Sequence, residues 1–210
     1  MPVPAARLVE ADGPTLVLGS TQATDVVDSA MAESQGVALV RRRSGGGAVF
    51  LSGDVVWVDV FVPAGDSLWD HDVGRATHWL GQAWVDALAT LGIEAERHGG
   101  ALVCRPWSSL VCFAGLGPGE VRVAGRKVVG ISQRRTRAGA LFQCAVLLAW
   151  DPAPTLALLN LDGAERARAR DDLAGAAMGL GSRAGAGTRP HPVLTAAVLE
   201  DAFVRRLSSL

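Results

Sequence analysis

Arg41-Arg42-Arg43-Ser44-Gly45-Gly46-Gly47-Ala48-Val49-Phe50 places three guanidinium groups against three glycines. Fixed positive charge lies beside a backbone free to approach a ligand, the composition of a local anion site. What flanks the stretch decides its structural meaning. Val37–Val40 before it and Ala48–Leu51 after it are apolar and β-branched, so the glycines are expected to join two strands. A phosphate loop needs Gly-x-x-x-x-Gly-Lys-Ser/Thr ahead of a helix, a dinucleotide site needs Gly-x-Gly-x-x-Gly, and neither pattern occurs.

Working outward, residues 1–14 show little periodicity and read as a surface-lying lead-in to a short strand at Thr15–Gly19. A helix is expected over Thr24–Ser34, capped by Thr24 and closed at Gly36. Ser52-Gly53-Asp54 turns into a two-faced strand, Val55–Val62, in which Val56, Val58 and Val60 alternate with Trp57, Asp59 and Phe61. The apolar stripe from Trp69 to Leu91 predicts a long helix over 67–91, stopped by Gly92. Strands are then expected at Leu110–Phe113, Glu120–Val123, Lys127–Arg135 and Leu141–Leu148, folded as an antiparallel meander about the turns Ala124-Gly125 and Ala138-Gly139. Helices at about Thr155–Leu161, Ala164–Ala177 and Thr195–Leu207, with a flexible Gly/Ala segment at 179–187, complete the chain.

At 210 residues with a formal charge of −1, the chain suits one domain and lacks the basic excess of a general nucleic-acid binder. It has no secretory leader pattern and no apolar run of membrane-spanning length, so a cytoplasmic location is expected, with no membrane partner. Cys104, Cys112 and Cys144 are odd in number and have no zinc spacing with the four histidines, which argues against a disulfide framework or a structural metal. Of the 20 cationic residues only Lys127 is a lysine, in a composition that uses Arg wherever a positive charge suffices.

Two motifs, in order, carry a resemblance. Arg41 to Phe50 is similar to the Arg-Arg-x-Ser-Gly-Gly-Gly signature of lipoate–protein ligases. Gly125-Arg126-Lys127-Val128-Val129-Gly130-Ile131-Ser132-Gln133-Arg134-Arg135, continued by Ala140-Leu141-Phe142-Gln143, resembles the same family's lysine motif. The likeness is firmest over residues 15–160. It implies an α+β catalytic domain of the biotin/lipoate ligase type, with a mixed, mainly antiparallel sheet flanked by helices. One catalytic domain over 1–210 is expected, its C-terminal helices at 161–210, with no separate accessory domain.

The same resemblance implies a ligase that joins lipoate or octanoate to AMP, using ATP and Mg²⁺, and passes the acyl group to a lysine of a lipoyl carrier domain. Such carriers belong to 2-oxoacid dehydrogenase complexes or to the glycine cleavage H protein. Lys127 is then the cation between acyl oxygen and phosphate. Arg42, Ser44, Gly45, Gly46, Gly47, Val49, Gly130 and Ser132 line the acyl and nucleotide site, and no metal ligand is assigned. The chain departs from the ligases at Leu51-Ser52, where they carry His-Asp or a similar pair. It also has Trp107-Ser108-Ser109 at about the place of their Asn-Asp pair, and the extra C-terminal domain that many ligases carry is not expected here, which leaves room for an accessory subunit as a partner.

Cys112-Phe113 supports a second reading. One group of octanoyltransferases carries such a pair at this distance before the lysine motif and forms a cysteine thioester with octanoate taken from acyl carrier protein, with no cofactor. A third reading is a diverged, noncatalytic acyl or nucleotide binder.

Overall fold

The computed structural model describes residues 4–181 and 194–210. Among the described residues nine strands form two sheets: β1 (Ala5–Val9), β2 (Thr15–Leu18), β3 (Ala38–Arg41), β4 (Val49–Leu51), β5 (Val55–Pro63), β6 (Glu96–Arg97), β7 (Val121–Val123), β8 (Arg126–Thr136) and β9 (Gly139–Leu147). The large sheet runs β1-β5-β9-β8-β7-β6, antiparallel at every pairing. The small sheet runs β3-β2-β4, with β2 parallel to β3 and antiparallel to β4. This is the mixed, mainly antiparallel α+β architecture expected from the motifs.

Both faces of the large sheet are covered, so β5 is buried along nearly all its length despite its alternating sequence. On one face, α2 (His78–Thr90) and α5 (Ala196–Leu207) pack over Val56, Val58, Val60 and Val62, and Trp84 stacks on Phe203 at 3.6 Å between ring centroids. On the other, Val17, Val49 and Leu51 of the small sheet meet Trp57, Ala145 and Leu147. Leu156, Leu158, Leu159 and Leu173, from α3 (Ala153–Ala157), α4 (Gly163–Ala174) and the link between them, close the outer side of the small sheet with Leu16 and Leu18. No helix among the described residues is long and apolar enough to cross a membrane.

Several elements differ from the sequence expectations. Residues 5–9 form an edge strand on β5, where a surface lead-in was expected. The first helix, α1, spans only Ser29–Ser34; Asp28, not Thr24, caps it by accepting from Met31 N at 2.9 Å, and Thr24–Val26 forms a separate 3₁₀ turn. The helix expected over 67–91 begins at His78, after a 3₁₀ turn at Arg75–Thr77. The carboxylates of Asp66, Asp70 and Asp72 accept backbone N–H groups at Leu68, Asp72 and Gly74, and such local bonds compete with helix formation. Leu110–Phe113 is not a strand: Cys112–Ala114 is a 3₁₀ turn, preceded by one parallel bridge from Val111 to Ala48. The expected Gly/Ala segment at 179–187 lies outside the described residues from 182 onward.

Cys144 on β9 is fully enclosed, and burial pushes its thiol from 9.0 up to about 12. The unfolded chain therefore loses this proton first. Its contribution to stability is complete below about pH 9 and falls as pH rises towards 12. A Cys144→Ala variant is expected to lose this part of the alkaline decline in denaturant titrations run across pH.

Candidate active site

The Arg/Gly stretch is held by its own arginine. Arg42 is buried, with Nη1 donating to Val17 O at 3.3 Å and Nη2 to Gly45 O and Gly47 O at 2.7 and 2.9 Å. The fork therefore shapes the loop that follows it. Gly46 adopts φ +100°, and a Cβ on Gly47 would lie 2.5 and 2.6 Å from Val111 C and Cys112 N. Glycine at 47 lets the loop lie against the Cys112 turn, pinned by Ala48 N→Leu110 O at 2.7 Å and Cys112 N→Ala48 O at 3.0 Å. Arg41 and Arg43 are exposed.

Lys127 reaches the same place from β8. Strict alternation would put it on the opposite face from Gly130 and Ser132. The ladder slips here: Val121 faces Val129 while Arg122 faces Lys127, so Val128 is the extra residue of a bulge. Such bulges re-aim a side chain. A Cβ on Gly130 would lie 3.3 Å from Lys127 Cε, 3.6 Å from Lys127 Nζ and 3.5 Å from Cys112 Sγ. Glycine at 130 thus leaves room for the ammonium and the sulfur to converge.

The ammonium is fully coordinated. Nζ pairs with Glu120 Oε2 at 2.7 Å and donates to Cys112 O at 2.9 Å and Gly115 O at 3.2 Å, which matches its three N–H groups. Nζ also lies 5.1 Å from the centroid of Phe113. Glu120 in turn accepts Gly117 N at 2.6 Å and Ile131 N at 3.0 Å. Burial opposes the Lys127 charge, but the Glu120 carboxylate and then the Cys112 sulfur outweigh it, and the ammonium is held above the usual lysine value. Burial lowers Arg42 from its ordinary value, opposed by the same sulfur.

The sulfur therefore lies within the field of two buried cations, while Cys112 remains half-exposed at the start of its turn. Cys104 is exposed and Cys144 buried in the helical layer's core, so of the three cysteines only Cys112 joins the motif residues. Ser44 and Ser132 meet at 2.8 Å, whereas Gly45 is open on its side-chain side and Val49 is a core residue between the sheets. An apolar cleft lined by Val49, Val111, Phe113, Leu147 and Trp150 adjoins the Cys112 turn, with the Phe113 and Trp150 ring centroids 5.6 Å apart.

Glu120 lies outside both sequence motifs. Its only signal is a carboxylate at the start of a strand seven residues before the lysine, and burial beside a cation appears only once the bulge is formed. Asp59 reads in the sequence only as an alternating strand position, yet it is buried and accepts hydrogen bonds from Trp57 Nε1 and Gln143 Nε2.

The family model for the lipoyl protein ligase A/B catalytic domain matches residues 3–179. Octanoyltransferase LipM from Kyrpidia tusciae is 32% identical over 163 residues, covering 75% of this chain and 59% of that protein. The chain thus spans less than two thirds of that relative's length. A bi-partite lipoate protein ligase from Thermoplasma acidophilum, solved in a study with its E2 lipoyl domain, superposes with a TM-score of 0.75 at 18% identity, covering 98% of this chain and 70% of that one. A lipoate-protein ligase A bound with ATP superposes at 0.69 and 19%, covering 98% and 72%. At these identities the structural likeness is one of fold.

Proposed function

The chain belongs to the lipoyl protein ligase A/B catalytic-domain family, and from that premise we propose that it is an octanoyltransferase, moving an octanoyl or related acyl group from a carrier thioester to a lysine of a lipoyl domain through Cys112. The observation that carries this reading is the convergence of Cys112 Sγ and Lys127 Nζ on Gly130. A nucleophilic sulfur needs a nearby fixed cation and access to substrate, and Cys112 has both. The likeness to LipM, an octanoyltransferase, points the same way.

In the first step the sulfur attacks the thioester carbonyl, a C–S bond to Cys112 forms, and the carrier thiolate leaves. In the second the lysine amine attacks the enzyme thioester, the amide forms, and the electron pair of the C–S bond returns to Cys112. Lys127, held rigidly by Glu120 and two carbonyls, supplies a preorganised positive field for the charge that develops on the attacking sulfur and on the oxyanion. The cleft beside Phe113 takes the apolar chain.

The ligase reading would require ATP with Mg²⁺. A triphosphate at the two buried cations would have to displace bonds already made: the three Lys127 donors go to Glu120, Cys112 O and Gly115 O, Arg42 Nη1 goes to Val17 O and Nη2 to Gly45 O and Gly47 O, which leaves Arg42 Nε without a partner. No step is therefore routed through ATP.

The test combines the purified chain and an apo lipoyl domain with octanoyl-acyl carrier protein, or with octanoate and ATP-Mg²⁺, read by intact mass. Modification is expected from the carrier thioester without ATP and is expected to vanish in Cys112→Ala. Modification that needs ATP and survives Cys112→Ala would establish the ligase reading instead, and none in either mixture would favour a noncatalytic binder.

A further inference from the structure

Resting on the acyl-transfer reading, we infer that Ser132 Oγ is the hydrogen-bond acceptor that orients the incoming lysine amine toward the acyl group on Cys112, and that Asp59 fixes Ser132 in this sense through Gln143 and Ser44. The basis is a chain of bonds whose direction is set at one end. Asp59 on β5 is buried; Oδ2 pairs with Arg7 at 2.8 Å, and Oδ1 accepts Trp57 Nε1 at 2.9 Å and Gln143 Nε2 at 3.1 Å. A carboxylate only accepts, so Gln143 must turn its amide nitrogen to Asp59 and its oxygen to Ser44. Ser44 then donates to Gln143 Oε1 at 2.6 Å, which uses its one hydrogen.

The 2.8 Å contact between Ser44 and Ser132 can accordingly be made in one direction only, with Ser132 donating. Ser132 has spent its hydrogen as well, and what remains on its oxygen is lone-pair density. Ser44 is 1% exposed, whereas Ser132 is half-buried, so the chain opens at Ser132. Ser132 lies two residues along β8 from Gly130, on the same strand face, where Cys112 Sγ and Lys127 Nζ converge.

An acceptor at this position acts on one half-reaction more than the other. As the C–N bond forms, the amine nitrogen becomes positive and its N–H donates more strongly, so the bond to Ser132 is stronger in the transition state than before it. Loading of Cys112 from a thioester brings no N–H to that place. In the balanced step the amine lone pair makes the C–N bond, and the C–S pair goes to Cys112. The surplus proton on nitrogen is taken by that sulfur, and Ser132 keeps its own proton.

The experiment uses the full chain, octanoyl-acyl carrier protein as donor and an apo lipoyl domain as acceptor, with acyl-enzyme formation and discharge timed separately by intact mass. In Ser132→Ala the ratio of discharge rate to loading rate is expected to fall about tenfold, and Ser132→Thr to restore it. In Asp59→Asn the amide can reverse the chain, and the same ratio is expected to fall. Because Asp59 also pairs with Arg7, thermal melting is read alongside, and the two Ser132 variants carry the test if that variant is unfolded. Equal slowing of both steps in Ser132→Ala would identify a donor to the oxyanion or a purely structural hydroxyl and overturn the inference, as would no slowing. A folded Asp59→Asn with an unchanged ratio would remove Asp59 from the assignment. A wild-type chain that never acylates Cys112 would overturn the acyl-transfer reading, and this inference with it.

Discussion

Glu120→Ala is expected to lower the stability of the folded chain by about 3–5 kcal/mol, the usual consequence of removing one partner of a buried ion pair. Both partners are almost fully enclosed, with side-chain exposures of 4% for Lys127 and 6% for Glu120, so water cannot replace the lost carboxylate. Two backbone donors, Gly117 N and Ile131 N, lose their acceptor at the same time. Glu120→Gln is expected to recover only part of the loss, because three donors converge on the carboxylate and an amide would turn a fourth toward them. The pair also sets a pH limit. Lys127 is held above its ordinary value of 10.5, so the stability it contributes is complete below that pH and is lost as pH rises through the raised folded value. Denaturant titration across the alkaline range checks both points, and in Glu120→Gln this component of the decline should shrink.

Lys127→Met is expected to reduce acyl transfer by about 10²–10³-fold, the scale seen when a preorganised electrostatic group is removed from a transition state. Methionine keeps an unbranched chain of similar length beside Gly130 and Phe113 and removes only the charge and its donors. It also strands Glu120 as a buried carboxylate, so a stability loss of about 3–5 kcal/mol is expected as well. The double variant Glu120→Gln/Lys127→Met separates the two effects. With both charges gone its stability should lie above that of either single variant, a coupling expected only of groups in contact, while its activity stays at the level of Lys127→Met. Steady-state transfer rates and melting curves on the same four proteins decide this. Lys127→Arg with full activity would contradict the role assigned to the ammonium, since a planar fork cannot reproduce three bonds to Glu120, Cys112 O and Gly115 O in this space.

Much of this site is legible in the chain because its parts are local. Three glycines between apolar runs read as a connection between two strands, and the Ala124-Gly125 turn places Lys127 just past a hairpin, as observed. Cys112-Phe113 was visible as a pair, although its strand proved to be a 3₁₀ turn because Val111 makes only a single bridge to Ala48. What the sequence hid depends on distant contacts or on competing local bonds. Glu120 looks like an ordinary charged residue at a strand start until the slip at Val128 brings Lys127 over it. Asp59 looks like a solvated alternating position until the small sheet covers that face and Gln143 and Arg7 reach it. The Arg/Gly composition reads as an anion site, but it does not reveal that the Arg42 fork also bonds Val17 O and the carbonyls of Gly45 and Gly47. The late start of α2 reflects three aspartates that satisfy backbone donors locally, which an apolar stripe does not reveal.

The most direct measurement is peptide mapping of the chain after brief mixing with octanoyl-acyl carrier protein, in the absence of ATP and of any lipoyl domain. An octanoyl thioester on the peptide bearing Cys112, released by hydroxylamine and discharged when apo lipoyl domain is added, is the expected result. A Cys112 peptide that stays unmodified while the lipoyl domain is still octanoylated would contradict the assignment of Cys112 as the nucleophile.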